Sequence, residues 1–162
     1  MGARPDDTES LQAKRAAVRL LGQRARTRSD LHQRLARQGF SAAAIEQALD
    51  ALARAGYVDD ARFARERIEE LLRKSPQWGP ALVHRLVSDG VPAELAEQAV
   101  AERLAGEDER RWACALARER MRKIRARDVR AARNQLGAYL SRRGFDPEVV
   151  AAAVEEVLPE TP

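Results

Sequence analysis

Apolar residues recur along this chain three and four positions apart, and no stretch sustains an apolar-polar alternation, so the pattern predicts helices throughout and no sheet. Three leucine pairs set the frame: Leu31 and Leu35, Leu82 and Leu86, Leu136 and Leu140. Each pair stands eight and four residues ahead of a glycine, which an apolar residue follows, in "LARQGF" (35–40), "LVSDGV" (86–91) and "LSRRGF" (140–145). Leucines four apart share one helix face, and a glycine just beyond the last turn supplies the left-handed backbone that ends a helix. Leu35 with Phe40, Leu86 with Val91 and Leu140 with Phe145 then fill the two places that touch in a Schellman cap. Beyond each stop the apolar pattern resumes at Ile45 and Leu49, at Ala96 and Val100, and at Val150 and Val154, so each stop turns the chain into another helix.

Start signals agree with this reading. Ser41, Pro92 and Asp146 with Pro147 suit the first positions of the helices that follow the glycines, and Gly79-Pro80 and Asp128 suit those of two of the middle helices. Thr27 with Asp30 resembles a capping box with aspartate in the place of glutamate. A preceding helix, at about 9–25, 60–74 and 107–126, completes each group. Glycine spacings of 51 and 54 residues mark a tandem repeat. The expectation is an all-α fold: an elongated array of three tandem three-helix, helix-turn-helix-like repeats over 9–55, 56–105 and 106–158.

Composition narrows the chemistry. Apolar residues make up 44% of the chain but aromatics only 4%, which predicts slim, alanine-rich cores. A lone cysteine, Cys114, allows neither an internal disulfide nor a CxxC zinc or redox pair. His32 and His84 occupy inequivalent positions and belong to no ligand motif; phosphate-loop and nucleophile-elbow signatures are absent from the sequence. A non-enzymatic protein without cofactor or metal is expected, in a reducing cytoplasm. In "GYVDDARFA" (56–64), Gly56 ends a helix, Asp59 or Asp60 caps the next, and Phe63 is expected in a core; adjacent carboxylates at a helix start diverge, which argues against a metal or acid-base pair. Trp78 and Trp112 are expected to fill the seams at repeat boundaries.

Charge is unevenly placed. Residues 14–37 hold eight bases against Asp30 alone, and 110–143 hold twelve against Glu119 and Asp128, while 44–109 hold fourteen acids and eight bases. The run "RERMRKIRARDVRAAR" (118–133) lacks the interleaved aromatics that stack single-stranded bases, so it points to phosphate contact or to an acidic protein face. By charge, the contact candidates are Arg24, Arg26, Arg28, Arg122, Lys123, Arg125, Arg127, Arg130 and Arg133.

The motifs "RTRSDLHQRLARQGF", "GYVDDARFAR" and "LSRRGFDPEVV" together resemble those of the RecX family of bacterial recombination regulators, over about residues 15–158. Leu31, Leu35, Gly39 and Phe40 look like the family's first signature, Gly56, Tyr57, Asp59, Asp60, Arg62, Phe63 and Ala64 like its central one, and Arg143, Gly144 and Phe145 like its last. The resemblance implies tandem three-helix units, binding of the RecA recombinase along the groove of the RecA–DNA filament, and inhibition of strand exchange, ATP hydrolysis and coprotease activity in DNA repair and recombination. A monomer is expected. The competing expectation is a stand-alone helical DNA-binding module, which the acidic middle of the chain disfavours.

Overall fold

The computed structural model describes residues 5–159, with side chains from Thr8 onward. Among the described residues there are nine helices and no strand: α1 (Pro5–Leu21), α2 (Arg28–Arg37), α3 (Ala42–Arg54), α4 (Asp60–Lys74), α5 (Gly79–Ser88), α6 (Ala93–Leu104), α7 (Glu109–Met121), α8 (Val129–Ser141) and α9 (Pro147–Val157).

The three stops form as the leucine-glycine pattern requires. Gly39, Gly90 and Gly144 have φ of 89°, 93° and 85°. At the first two the Schellman bonds are complete: Phe40 N donates to Leu35 O, Gly39 N to Ala36 O, Val91 N to Leu86 O and Gly90 N to Val87 O. At the third, Gly144 N donates to Ser141 O. The helix starts are also as read: the side chains of Thr27, Ser41, Asp128 and Asp146 each accept from a backbone N–H of the following first turn.

Two helix ends differ from the expectation, for electrostatic reasons. α1 stops at Leu21 because Arg26 folds back and donates from Nε to Leu20 O at 3.1 Å, satisfying a carbonyl of the last turn. α7 stops at Met121 and does not reach 126. Continued as helix, it would set Lys123 and Arg127 four residues apart, like charges that destabilise a helix. Instead Lys123 N and Ile124 N bond three residues back, and the chain leaves the helix.

The described residues divide into two compact units. One comprises residues 5–67 with Leu86–Ala99, the other Ile68–Arg85 with residues 100–159, and the division runs through α4, α5 and α6. In the first unit, α1 lies on α3 and α2. Buried alanines on α1 (Ala16, Ala17) let its backbone approach a core of Leu31, Leu35, Ile45, Leu49 and Leu52, all fully enclosed. In the second, α7 lies on α9 and α8 around Leu116, Leu136, Leu140, Phe145 and Val154, with Cys114 4% exposed among them. Trp78 stacks on Phe145 (centroids 5.9 Å apart) and meets Trp112 edge-on at 5.5 Å, so both tryptophans pack against this core.

Each unit contains a seam between successive repeats, built alike. In the first, the N-cap of α2 sits on the stop of α5: Thr27 Oγ1 donates to Asp89 O at 3.2 Å, and a Cβ on Gly90 would lie 2.6 Å from Thr27 Oγ1. In the second, the start of α5 sits on the stop of α8: Trp78 N donates to Arg143 O at 2.7 Å, and a Cβ on Gly144 would lie 2.7 Å from Ala81 N and 3.0 Å from Trp78 O. Gly39, the stop of the first repeat, has nothing within 4 Å of such a Cβ.

Candidate basic interface

The nine charge candidates fall into different environments. Arg26 is 7% exposed, and its guanidinium is shared among Leu20 O, Asp30 Oδ2 at 2.7 Å and Gln23 Oε1. Its charge therefore serves the fold. Arg28 opens α2 and reaches Glu46 and, at 2.7 Å, Asp50; burial opposes its charge, but these two carboxylates outweigh it and hold its pKa above the usual arginine value. Arg133 donates to Leu158 O and to Glu155, tying α8 to the end of α9. Of the three unit-one candidates, Arg24 alone stands exposed without an acid in ion-pair reach among the described residues.

Arg122, Lys123, Arg125, Arg127 and Arg130 form one group. They occupy the connection from α7 to α8 and the first turn of α8, and all five are exposed. Lys123 pairs with Glu119 at 2.9 Å and Arg127 with Asp128 at 3.1 Å, surface pairs that hold their partners weakly. Arg122, Arg125 and Arg130 have no ion pair among the described residues. The sequence suggested basic rows along a helix here; the structure places the bases on a loop and a helix start, where they can turn outward separately.

In "GYVDDARFA" the two aspartates divide the work. Asp59 caps α4 by accepting from Arg62 N at 2.8 Å, whereas Asp60 accepts from Arg28 N, thirty-two residues earlier, and so completes the start of α2. Burial pushes the Asp60 carboxyl pKa up, against the hydrogen bond and charge of Arg28. Phe63 is half-buried and lines a cleft of about 490 Å³ with Tyr57 and Arg62.

Sequence reasoning did not pick out a second basic cluster. On the α7–α8 side of the second unit, the Arg143 guanidinium lies 3.8 Å above the Tyr139 ring and donates from Nη2 to Ser75 Oγ at 2.9 Å, while Arg120 lies 5.0 Å from the same ring. The available signal was positional. Arg143 directly precedes its glycine, where the first repeat has Gln38 and the second Asp89.

Among the described residues no group of three or more His, Cys, Asp or Glu side chains could hold a metal ion, and no helix is long and apolar enough to cross a membrane. Residues 13–52 match the first three-helix domain of RecX, and residues 107–154 match its third. The chain belongs to the RecX family. It is 33% identical to the regulatory protein RecX of Amycolatopsis mediterranei over 96% of this chain and 89% of that one, and 30% identical to that of Prosthecochloris aestuarii over 94% and 97%. The crystal structure of RecX from Lactobacillus salivarius has the same fold, with a TM-score of 0.77, covering 93% of this chain and 97% of that one at 17% identity. The RecX matches bracket "GYVDDARFA" on both sides, and the fold is the all-helical one that the repeats predicted.

Proposed function

We propose that this protein is a monomeric, non-enzymatic cytoplasmic regulator that binds RecA and the groove of the RecA–DNA filament, and thereby inhibits strand exchange, ATP hydrolysis and coprotease activity. Membership of a family of regulatory proteins supports the class of function. The observation that carries the mode of action is the exposed group at Arg122, Lys123, Arg125, Arg127 and Arg130, whose charge is largely unanswered within its own unit. Three repeats, at 9–55, 56–105 and 106–158, would bridge neighbouring protomers, with Arg24 and this group meeting acidic RecA surface or DNA phosphate.

The test is DNA-dependent ATP hydrolysis by RecA with the protein at substoichiometric ratios. Inhibition is expected, and the fourfold reversal R122E/K123E/R125E/R127E should weaken it at least tenfold in concentration while helical circular dichroism stays unchanged. Undiminished inhibition by that variant rejects the assignment of the contact. Equal affinity for bare DNA and for a RecA-coated strand at the same salt would favour a stand-alone DNA-binding module instead.

A further inference from the structure

We propose that Arg120 and Arg143, braced on Tyr139 and Ser75 within the second unit, form a binding site for a backbone phosphate of nucleic acid. The inference deepens the filament-binding reading and rests on it only for the source of the phosphate in the cell.

The two guanidiniums are drawn to one ring, at 5.0 and 3.8 Å from its centroid, beside a cleft of about 270 Å³ that they line with Lys123, Ser75 and Glu119. That volume lies below the usual range for a whole small-molecule ligand, and a single charged group fits it better. Arg120 Nε and Arg143 Nε are both buried, and neither has a hydrogen-bond partner. Two like charges gathered over one ring are unfavourable unless anions answer them, and the one carboxylate lining the cleft, Glu119, is already paired with Lys123 at 2.9 Å.

The corresponding seam in the first unit is neutralised. There the residue before the glycine is Asp89, and Arg67 Nε donates to its carboxylate at 2.7 Å. In the second unit that position is Arg143, which has a serine hydroxyl and an aromatic face for partners. The acid of the one seam is a base in the other.

Phosphate suits this donor set better than a carboxylate. Its oxygens can accept together from guanidinium N–H groups that face the cleft, from Lys123 Nζ and from the Ser75 hydroxyl, whose oxygen already accepts from Arg143, while the two enclosed Nε–H groups lie behind them. A planar carboxylate is matched by the terminal fork of one guanidinium, and here one arm of the Arg143 fork is spent on Ser75.

The experiment needs no RecA, so the site and the filament reading can fail separately. The full chain is labelled with 15N-arginine, and the Nε–H resonances of Arg120 and Arg143, assigned with R120Q and R143Q, are followed during titration with inorganic phosphate, a short oligothymidylate and a glutamate-rich peptide. Both resonances should move together and saturate with the oligonucleotide, follow phosphate at higher concentration, and stay still with the peptide. Either variant should bind the oligonucleotide about tenfold more weakly. The salt dependence of binding, as log K against log salt, should flatten by about 0.7 per lost contact, which a purely structural role would not change. Resonances that ignore the oligonucleotide, or that respond as strongly to the peptide, overturn the proposal. If one variant fails to fold, the wild-type titration and the other variant still decide.

Discussion

Asp30 holds together the turn between α1 and α2. It accepts from Arg26 at 2.7 Å and from Arg34 at 2.9 Å, and although burial pushes its pKa up, the two guanidiniums outweigh burial and hold it below the usual aspartate value. A lowered carboxylate pKa contributes stability that is complete above the unfolded value and is lost as pH falls through the folded one. Asp30→Asn should therefore cost about 3 kcal/mol at neutral pH, because it leaves Arg26 enclosed without its countercharge, and should blunt the loss of stability in acid. Chemical denaturation across pH 3 to 7 checks both. Asp60 has the opposite sign: burial raises its pKa, so its contribution fades as pH rises through the raised value. Asp60→Asn keeps an oxygen for Arg28 N and should leave neutral-pH stability unchanged or slightly higher. At this scale the sequence was only partly legible. Caps such as Thr27 and Ser41 declare themselves within four residues, whereas the reach of Asp60 to Arg28 N and the burial of Arg26 depend on packing, which charge counting does not see.

The helix stops make the second level testable. Gly39 and Gly144 share a positive φ, but Gly39 has open space around it and Gly144 has backbone atoms of α5 and Trp78 at 2.7 to 3.0 Å. Gly39→Ala should cost about 1 kcal/mol for the left-handed conformation alone, and Gly144→Ala about 3 kcal/mol, because backbone at a seam cannot move aside. Thermal unfolding of the two variants gives the difference, which isolates the seam. The stops, their apolar partners and the helix starts could all be read from spacing because they are local consequences of 3.6-residue periodicity and left-handed glycine. The end of α7 could not, since it turns on repulsion between residues that periodicity alone treats as helical surface. Periodicity likewise shows the run 118–133 as basic rows, while the cluster around Tyr139, assembled from Ser75, α7, α8 and Arg143 beyond the end of α8, leaves a single positional trace in Arg143.

For the molecule as a whole, the chain carries fields of both signs: bases concentrated in 14–37 and 110–143, acids between them. Attraction between exposed charges is screened within about 8 Å at physiological salt, so any partner held by the 122–130 group should be released as salt increases. The proposed inhibition of ATP hydrolysis by RecA should accordingly weaken by on the order of tenfold or more between about 50 and about 200 mM salt, and the R122E/K123E/R125E/R127E variant should lose most of that dependence.

Cys114 offers a way to watch the second unit alone. Its thiol is enclosed, donates to Glu156 at 3.3 Å, and has its pKa pushed up by burial first and by that carboxylate second. An alkylating reagent in excess can reach it only when α7 parts from α9, so the labelling rate becomes a gauge of how often that pair breathes. Gly144→Ala should quicken the reaction. Asp30→Asn, whose damage lies in the other unit, should leave it at the wild-type pace.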